Sequence, residues 1–366
     1  MVAESGGALA GVKVLEFAGI GPVPVCGMML SDMGADVLRI DRPGAVYDKY
    51  MVETRGRRSL VVDMKSPEGQ ENILRLIEKA DVLIEGYRPG VMERLGLAPD
   101  IALSRNPRLV YGRMTGWGQY GPYAHMAGHD INYIAITGAL HAIGTTERPV
   151  PPLNLVGDFG GGALYLAFGV LAALRHAEHT GQGQVIDCAM SDGTIGLMGM
   201  LYGHQARGSW RDERGVNIID GGAHFYNCYQ CSDGNWIALG AIEPQFYAEL
   251  RRIADMQDAD FDGQMTQENW PYLKQKLAGI IATKTRDEWT VLFEGGDACF
   301  APVLNMSEAR HHPHNKAREA FVAMDDVQHP APAPRLSVTP GAIQGPPVGA
   351  GDGGVEAARQ WGVELQ

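Results

Sequence analysis

Cysteine is scarce in this chain and odd in number, with five residues at 26, 188, 228, 231 and 299. So few thiols at such spacings do not make a disulfide framework, and they read as reduced cysteines of a cytosolic protein. Long apolar runs are lacking as well. The longest, Ala163 to Ala173, covers about eleven residues against the roughly 20 that span a bilayer, and it ends at Arg175-His176. A buried helix is expected there, and no membrane association. Positive charge is in deficit: 31 Lys and Arg face 43 Asp and Glu, a formal net charge of −12. That balance argues against a general nucleic-acid surface, although a local basic cluster can outvote the global sum for a small anionic ligand. The start lacks a basic segment followed by an apolar run, and the end, Val363-Glu364-Leu365-Gln366, carries no sorting signal. A cytoplasmic location is therefore expected.

A length of 366 residues predicts two domains, and the 45% hydrophobic and 20% charged content fits a globular enzyme. The first 115 residues alternate strand and helix signals. Val12 to Phe17 is a β-rich run ending in Gly19-x-Gly21, with a helix expected through Met33. Further strands are expected at Ala35–Ile40, Leu60–Asp63, Asp81–Glu85 and Leu109–Tyr111. Ser66-Pro67-Glu68 gives an N-cap, a first-turn proline and a first-turn acid for a helix burying Ile73, Leu74, Leu76 and Ile77. Such alternation builds an open, mainly parallel α/β sheet of Rossmann-like type. Phe225–Tyr229 and Asn235–Leu239 flank Ser232-Asp233-Gly234, a hairpin signal, and helices are expected near 244–256, 272–284 and 286–295. The expected organisation is a large α/β domain over 1–190, a helical connector over 191–224, a small α+β domain over 225–318, and a return segment over 319–366 that completes the large domain.

Several local signals compete for function. Gly19-x-Gly21 with Asp41 is half of a dinucleotide-binding fingerprint, but its third glycine is replaced by Pro24. Cys228-x-x-Cys231 has no second pair at zinc spacing, and strand alternation sends its two thiols to opposite faces. His311-His312-Pro313-His314 is a proline-broken loop without a carboxylate partner. Arg39, Arg42, Lys65, Arg88 and Arg94 follow successive strands, and Arg55, Arg57 and Arg58 add to them. Residues just past parallel strand ends share one rim, so an anion site for the phosphates of a nucleotide-like group is expected there. The strongest words are Gly128-His129-Asp130-Ile131-Asn132-Tyr133, Gly157-Asp158-Phe159-Gly160-Gly161-Gly162 and Gly240-Ala241-Ile242-Glu243. They supply an imidazole and two carboxylates in glycine-bearing contexts that let backbone approach a ligand. An imidazole and an acid on opposite sides of one carbon can remove a proton from one face and return it to the other.

At these residues the chain resembles the α-methylacyl-CoA racemases of the family III CoA-transferase superfamily. The resemblance also rests on Glu16 to Pro22, Gly34 to Pro43, Asp81 to Gly90 and Met114 to Gln119, words that fall in order from about residue 10 to 305. It implies that His129 and Asp158 are catalytic and that Glu243 orients the histidine. It further implies that Arg42, the Val62-Asp63-Met64-Lys65 segment, Gly86, Tyr87, Arg88, Arg94, Gly128, Asp130, Ile131, Asn132 and Tyr133 contact CoA. The implied assembly is an interlocked homodimer, with Glu243 supplied by the neighbouring chain. The implied reaction is interconversion of 2R- and 2S-2-methylacyl-CoA with no separate cofactor, since CoA is part of the substrate. The alternative within the superfamily is a CoA-transferase using Asp158 as nucleophile. One departure stands out: where family members commonly read Asp-Gly-Gly-Ala-Pro, this chain has Asp220-Gly221-Gly222-Ala223-His224. Backbone N–H groups around Asp158, at a helix start, are the expected donors for an enolate oxygen.

Overall fold

Val14, Val37, Val82, Ile84 and Val110 alternate along their strands with Leu15, Leu38, Leu83 and Tyr111, and the two sets enter different cores. This period of two, apolar on both faces, is the pattern of a parallel sheet covered on each side. The computed structural model, which describes residues 6–366, contains that sheet. Its strands are β1 (Lys13–Phe17), β2 (Asp36–Asp41), β3 (Arg57–Val61), β4 (Val82–Glu85), β5 (Val110–Thr115) and β6 (Gln184–Ala189), all parallel in the order β3-β2-β1-β4-β5-β6. The Rossmann-like expectation holds. β3 begins earlier than expected, and β6 is an addition to the strands read from sequence.

Helices follow where their caps fall. Gly21, at φ 70°, turns the chain out of β1, and Pro22 and Pro24 occupy the first turn of α1 (Pro22–Asp32), where a missing N–H costs nothing. Ser66 Oγ accepts the Gly69 N–H at 2.9 Å to start α2 (Pro67–Ile77). The short helices α3 (Val91–Arg94) and α4 (Pro99–Arg105) precede β5, and α5 (Asp130–Ala135) follows it. After the one-turn α6 (Ala139–Ala142), the chain forms a π-helical turn, Leu155–Ala163, that runs into α7 (Leu164–Thr180). α8 (Met190–Leu197) leaves β6. Val23, Cys26 and Leu30 of α1 join Leu166 and Val170 of α7 over one side of the sheet. Ile73, Leu76 and Ile77 of α2 join Met92, Ala357 and Trp361 over the other.

The eleven-residue apolar run proves too short an account of its helix. Because the glycines of the π turn continue it without a break, Leu155–Thr180 forms 26 helical residues, long and apolar enough by length and composition to cross a membrane. Leu166, Ala167, Val170 and Ala173 are buried, whereas Leu164, Phe168 and Leu171 are exposed.

The chain divides into two units. The larger holds residues up to Thr137, Pro152–Met198 and Arg318–Gln366; the smaller holds Gly138–Pro151 and Gly199–Ala317. The expected connector over 191–224 is therefore split, and 138–151, assigned to the large domain, belongs to the small unit. Arg214 explains this: its guanidinium donates to Thr145 O and His141 O, each at 2.9 Å, fastening that segment to the 211–217 loop. In the small unit, α9 (Gly199–Ala206) precedes an antiparallel sheet of β7 (Tyr226–Gln230), β8 (Trp236–Gly240) and β9 (Phe300–Val303). The sheet packs Phe225, Ile237 and Leu239 with residues of α10 (Pro244–Ile253), α11 (Trp270–Ile281) and α12 (Arg286–Phe293). The return segment is not simply extended. It pairs Phe321–Met324 with Val327–Pro330 and ends in a helix, Gly354–Gln360, reached through a bridge from Gly353 to Ser59 of β3.

Candidate active site

The loop after β5 is braced by aromatic rings. Trp117 meets Tyr123 and Tyr133 edge-to-face at centroid distances of 5.2 and 4.9 Å, and the Tyr133 hydroxyl donates to Gly128 O. His129 then caps α5: its N–H donates to Asn132 Oδ1 at 3.1 Å, and its side chain stays exposed. Asp158 sits on the π turn, half-buried. Asn154 Nδ2 donates to its Oδ2 at 3.3 Å, and a Cβ at Gly21 would sit 3.3 Å from the same oxygen. The glycines that follow let this turn press against α8, where a Cβ at Gly161 would meet Thr194 N at 2.7 Å. Burial pushes the Asp158 carboxyl up; the Asn154 hydrogen bond opposes this, the Asp130 charge adds to it, and the His129 charge pulls it down.

His129 and Asp158 face one cavity of about 650 Å³ within the large unit. Ile20 to Val23, Gly86 to Pro89, Met114 to Trp117, Ala124, Met126 to Gly128, Asn132, Tyr133, Asn154 and Met190 complete its walls. Of the residues expected to contact CoA, Gly86, Tyr87, Arg88, Gly128, Asn132 and Tyr133 therefore line it. Arg42, Asp63, Lys65, Arg94 and Ile131 are exposed outside it, Met64 is half-buried, and Val62 is a core residue.

Two expectations need correction. Asp130 is buried, and its Oδ2 accepts the N–H groups of Gly157 and Asp158, both at 2.8 Å. Those backbone donors are thus already engaged and are not available to an enolate oxygen. The N–H groups of Asp130 and Ile131, ahead of the first intrahelical bond of α5, have no acceptor among the described residues. The rim of basic residues also shrinks. Arg39, Arg55 and Arg57 are buried and paired with Asp41, Asp32 and Glu16 at 2.8, 2.5 and 3.0 Å, so they are structural. Arg58 is tied to Asp36. Arg42, Lys65, Arg88 and Arg94 remain exposed, without an ion-pair partner among the described residues.

One element of the site escaped sequence reasoning. Glu85 ends β4 fully buried; its Oε2 accepts the Tyr87 N–H at 2.7 Å and its Oε1 the Arg113 Nε–H at 3.0 Å. Arg113 also reaches Glu93 of α3 at 2.9 Å. This clamp fixes the Gly86–Arg88 wall. Burial pushes the Glu85 carboxyl up to about 7, against the pull of the Tyr87 N–H and Arg113. The available signal was an acid closing a buried strand just before a Gly-x-Arg loop.

Glu243 lies in the small unit, exposed, directly before Pro244 at the start of α10. Gln264 Nε2 donates to Ala241 O and Ile242 O at 3.0 and 2.9 Å, holding the turn that carries it. His224, in place of the expected proline, is buried with its Nε2 2.8 Å from the Tyr247 hydroxyl. Cys228 is exposed and Cys231 buried, as strand alternation predicts. No group of three or more His, Cys, Asp or Glu among the described residues is placed to hold a metal ion.

A parallel α/β sheet carries a cavity at its strand ends, lined by an imidazole and a carboxyl, and comparison with known proteins gives the family. The chain belongs to CoA-transferase family III, whose model matches residues 9–351. It is 45% identical over 363 residues to the alpha-methylacyl-CoA racemase of Mus musculus, covering 98% of this chain and 94% of that protein. It is 46% identical over 335 residues to the alpha-methylacyl-CoA racemase of Homo sapiens, covering 91% and 87%. Among solved structures, a CAIB/BAIF family protein from Brucella suis superposes with a TM-score of 0.82 at 25% identity, covering 97% and 99% of the two chains.

Proposed function

We propose that this protein is a racemase that interconverts the 2R and 2S epimers of 2-methylacyl-CoA thioesters by 1,1-proton transfer. The observation that carries the reading is that His129 and Asp158 face one cavity, in a chain this similar to two racemases over nearly its whole length. His129, neutral, takes the α-proton from one face; Asp158, protonated, delivers a proton to the other; the reverse reaction exchanges their roles. Each group contributes about 10²–10⁴ in rate as a general acid or base. The elevated Asp158 carboxyl suits a proton donor better than the nucleophile that a CoA-transferase would require. With the N–H groups of Gly157 and Asp158 engaged, the donors left near His129 for the enolate oxygen are those of Asp130 and Ile131.

CoA acts as a handle whose remote binding energy holds the reacting carbon between the two groups. Arg88 on the cavity wall, with Arg42, Lys65 and Arg94 outside it, provides cations for its phosphates. CoA is part of the substrate, and neither a metal nor a redox cofactor takes part. The protein works as a cytoplasmic homodimer in which Glu243 of one subunit orients His129 of the other; the exposed position of Glu243 and the apolar outer face of α7 support that assembly. The test is incubation of one epimer in deuterium oxide. Label should enter at the α-carbon and the opposite epimer should appear, and His129→Ala should abolish abstraction from one epimer with the fold intact. Absence of exchange in folded wild-type protein would overturn the reading.

A further inference from the structure

Asp130 follows His129 in the chain, yet its side chain is not among those lining the cavity and its carboxylate is buried. The two N–H groups that its Oδ2 accepts belong to Gly157 and Asp158, 27 and 28 residues further on. The approach depends on the glycine, since a Cβ at 157 would come within 2.6 Å of that oxygen. Two consecutive donors converging on one atom fix both the position and the rotation of the turn that carries Asp158. The second oxygen, Oδ1, is buried without a hydrogen-bond partner among the described residues.

We propose that Asp130 is a positioning residue for the proton transfer, locking the Asp158 turn to the His129 turn and setting a second carboxylate beside that turn. The proposal rests on the racemase reading above. The groups acting on Asp158 can be enumerated. Burial and the Asp130 charge favour its neutral form, and Asn154 and His129 favour the anion. Tyr133, on α5, is acted on by both aspartates and by Arg88 in the opposite sense. α1, α7, α8 and β6 also pack against the turn, and none of their charges, Asp187 of β6 and Asp192 of α8 included, is among those acting on Asp158. A nearby second carboxylate raises the energy of the first as an anion and leaves its neutral form untouched. Asp130 therefore serves geometry and protonation together: one oxygen sets the spacing of the two proton carriers, and the charge keeps a proton on the one that starts as donor.

Two substitutions separate these roles. Asp130→Asn keeps an oxygen that accepts both N–H bonds and removes the charge; Asp130→Ala removes both. Carbon-13 titration of the Asp158 carboxyl in the ligand-free, full-length protein, assigned with Asp158→Asn, reads the charge effect without turnover. The Asp158 midpoint is expected at least about half a unit lower in Asp130→Asn than in wild type, with the alkaline limb of kcat moving the same way. In Asp130→Ala, kcat is expected to fall about 10²-fold, as for a reacting group misplaced by an ångström, with KM changed less than about threefold. Identical Asp158 titrations in wild type and Asp130→Asn would overturn the charge role, and wild-type kcat in Asp130→Ala would overturn the locking role. If wild-type protein fails to exchange the α-hydrogen, the racemase reading falls, and the Asp158 titrations still decide whether Asp130 acts on that carboxyl.

Discussion

His224 shows how one side chain can tie stability to pH. It is fully buried against the rings of Phe225 and Tyr247, and burial pushes its imidazole down to about 4. The same group in an unfolded chain titrates near 6.5. Between those values the unfolded state binds more protons, so the contribution of His224 is complete above about pH 6.5 and is lost as pH falls toward 4. The thermal midpoint of wild type should drop across that window. His224→Gln, which keeps a hydrogen-bond partner for Tyr247 but does not titrate, should give a flatter profile; parallel profiles would contradict the assignment. At this scale the sequence was informative where residues act inside short words and opaque where they act across long separations. His129 and Asp158 stood out because glycines surround them. Arg55 and Arg57 read as a ligand site because their partners Asp32 and Glu16 become neighbours only in the fold, whereas Arg39 pairs with Asp41 two residues along its own strand, a partner that was in view. Asp130 read as a ligand contact for the same reason: its two donors lie almost thirty residues downstream.

Among elements, β4, β5 and α3 are joined by the Glu85–Arg113–Glu93 clamp. Arg113→Met would leave Glu85 buried without its cation, a loss of about 3 kcal/mol by comparison with other broken buried pairs. Urea denaturation should register that loss. KM for the thioester should rise several-fold while kcat changes little, because the wall of Gly86–Arg88 loses its anchor while His129 and Asp158 do not; an unchanged KM would contradict this. β1, β2, β4, β5, α1 and α2 were legible from apolar alternation, the first-turn prolines and the Ser66 cap. β6 and β9 were not, since β6 is only partly buried and β9 contains Pro302 and no fully buried residue. The π turn was invisible too. Its glycines announce close contact, but the extra residue in the turn depends on how α5, α7 and α8 pack around it.

At the scale of the molecule, the proposed dimer turns on the outer face of α7. Leu164, Phe168 and Leu171 are 52%, 74% and 47% exposed on one helix of the large unit, an apolar strip that a second copy would cover. Wild-type protein should sediment as a dimer. Phe168→Asp should shift it toward monomer and reduce α-hydrogen exchange at least about tenfold, because Glu243 then no longer arrives from the neighbouring subunit. A fully active wild-type monomer would refute the arrangement. Two units were expected from chain length and the change in pattern after residue 190, but the membership of 138–151 was not legible, since Arg214 and Asp212 reach it across some seventy positions. The openness of His129 carries one more implication. A base in contact with bulk water trades its captured hydrogen with the medium between encounters, and the hydrogen placed on the opposite face comes from a carboxyl drawn from the same reservoir. Under the proposed mechanism the enzyme would therefore keep no isotopic memory, and each newly inverted centre would bear an atom that belonged to the solvent.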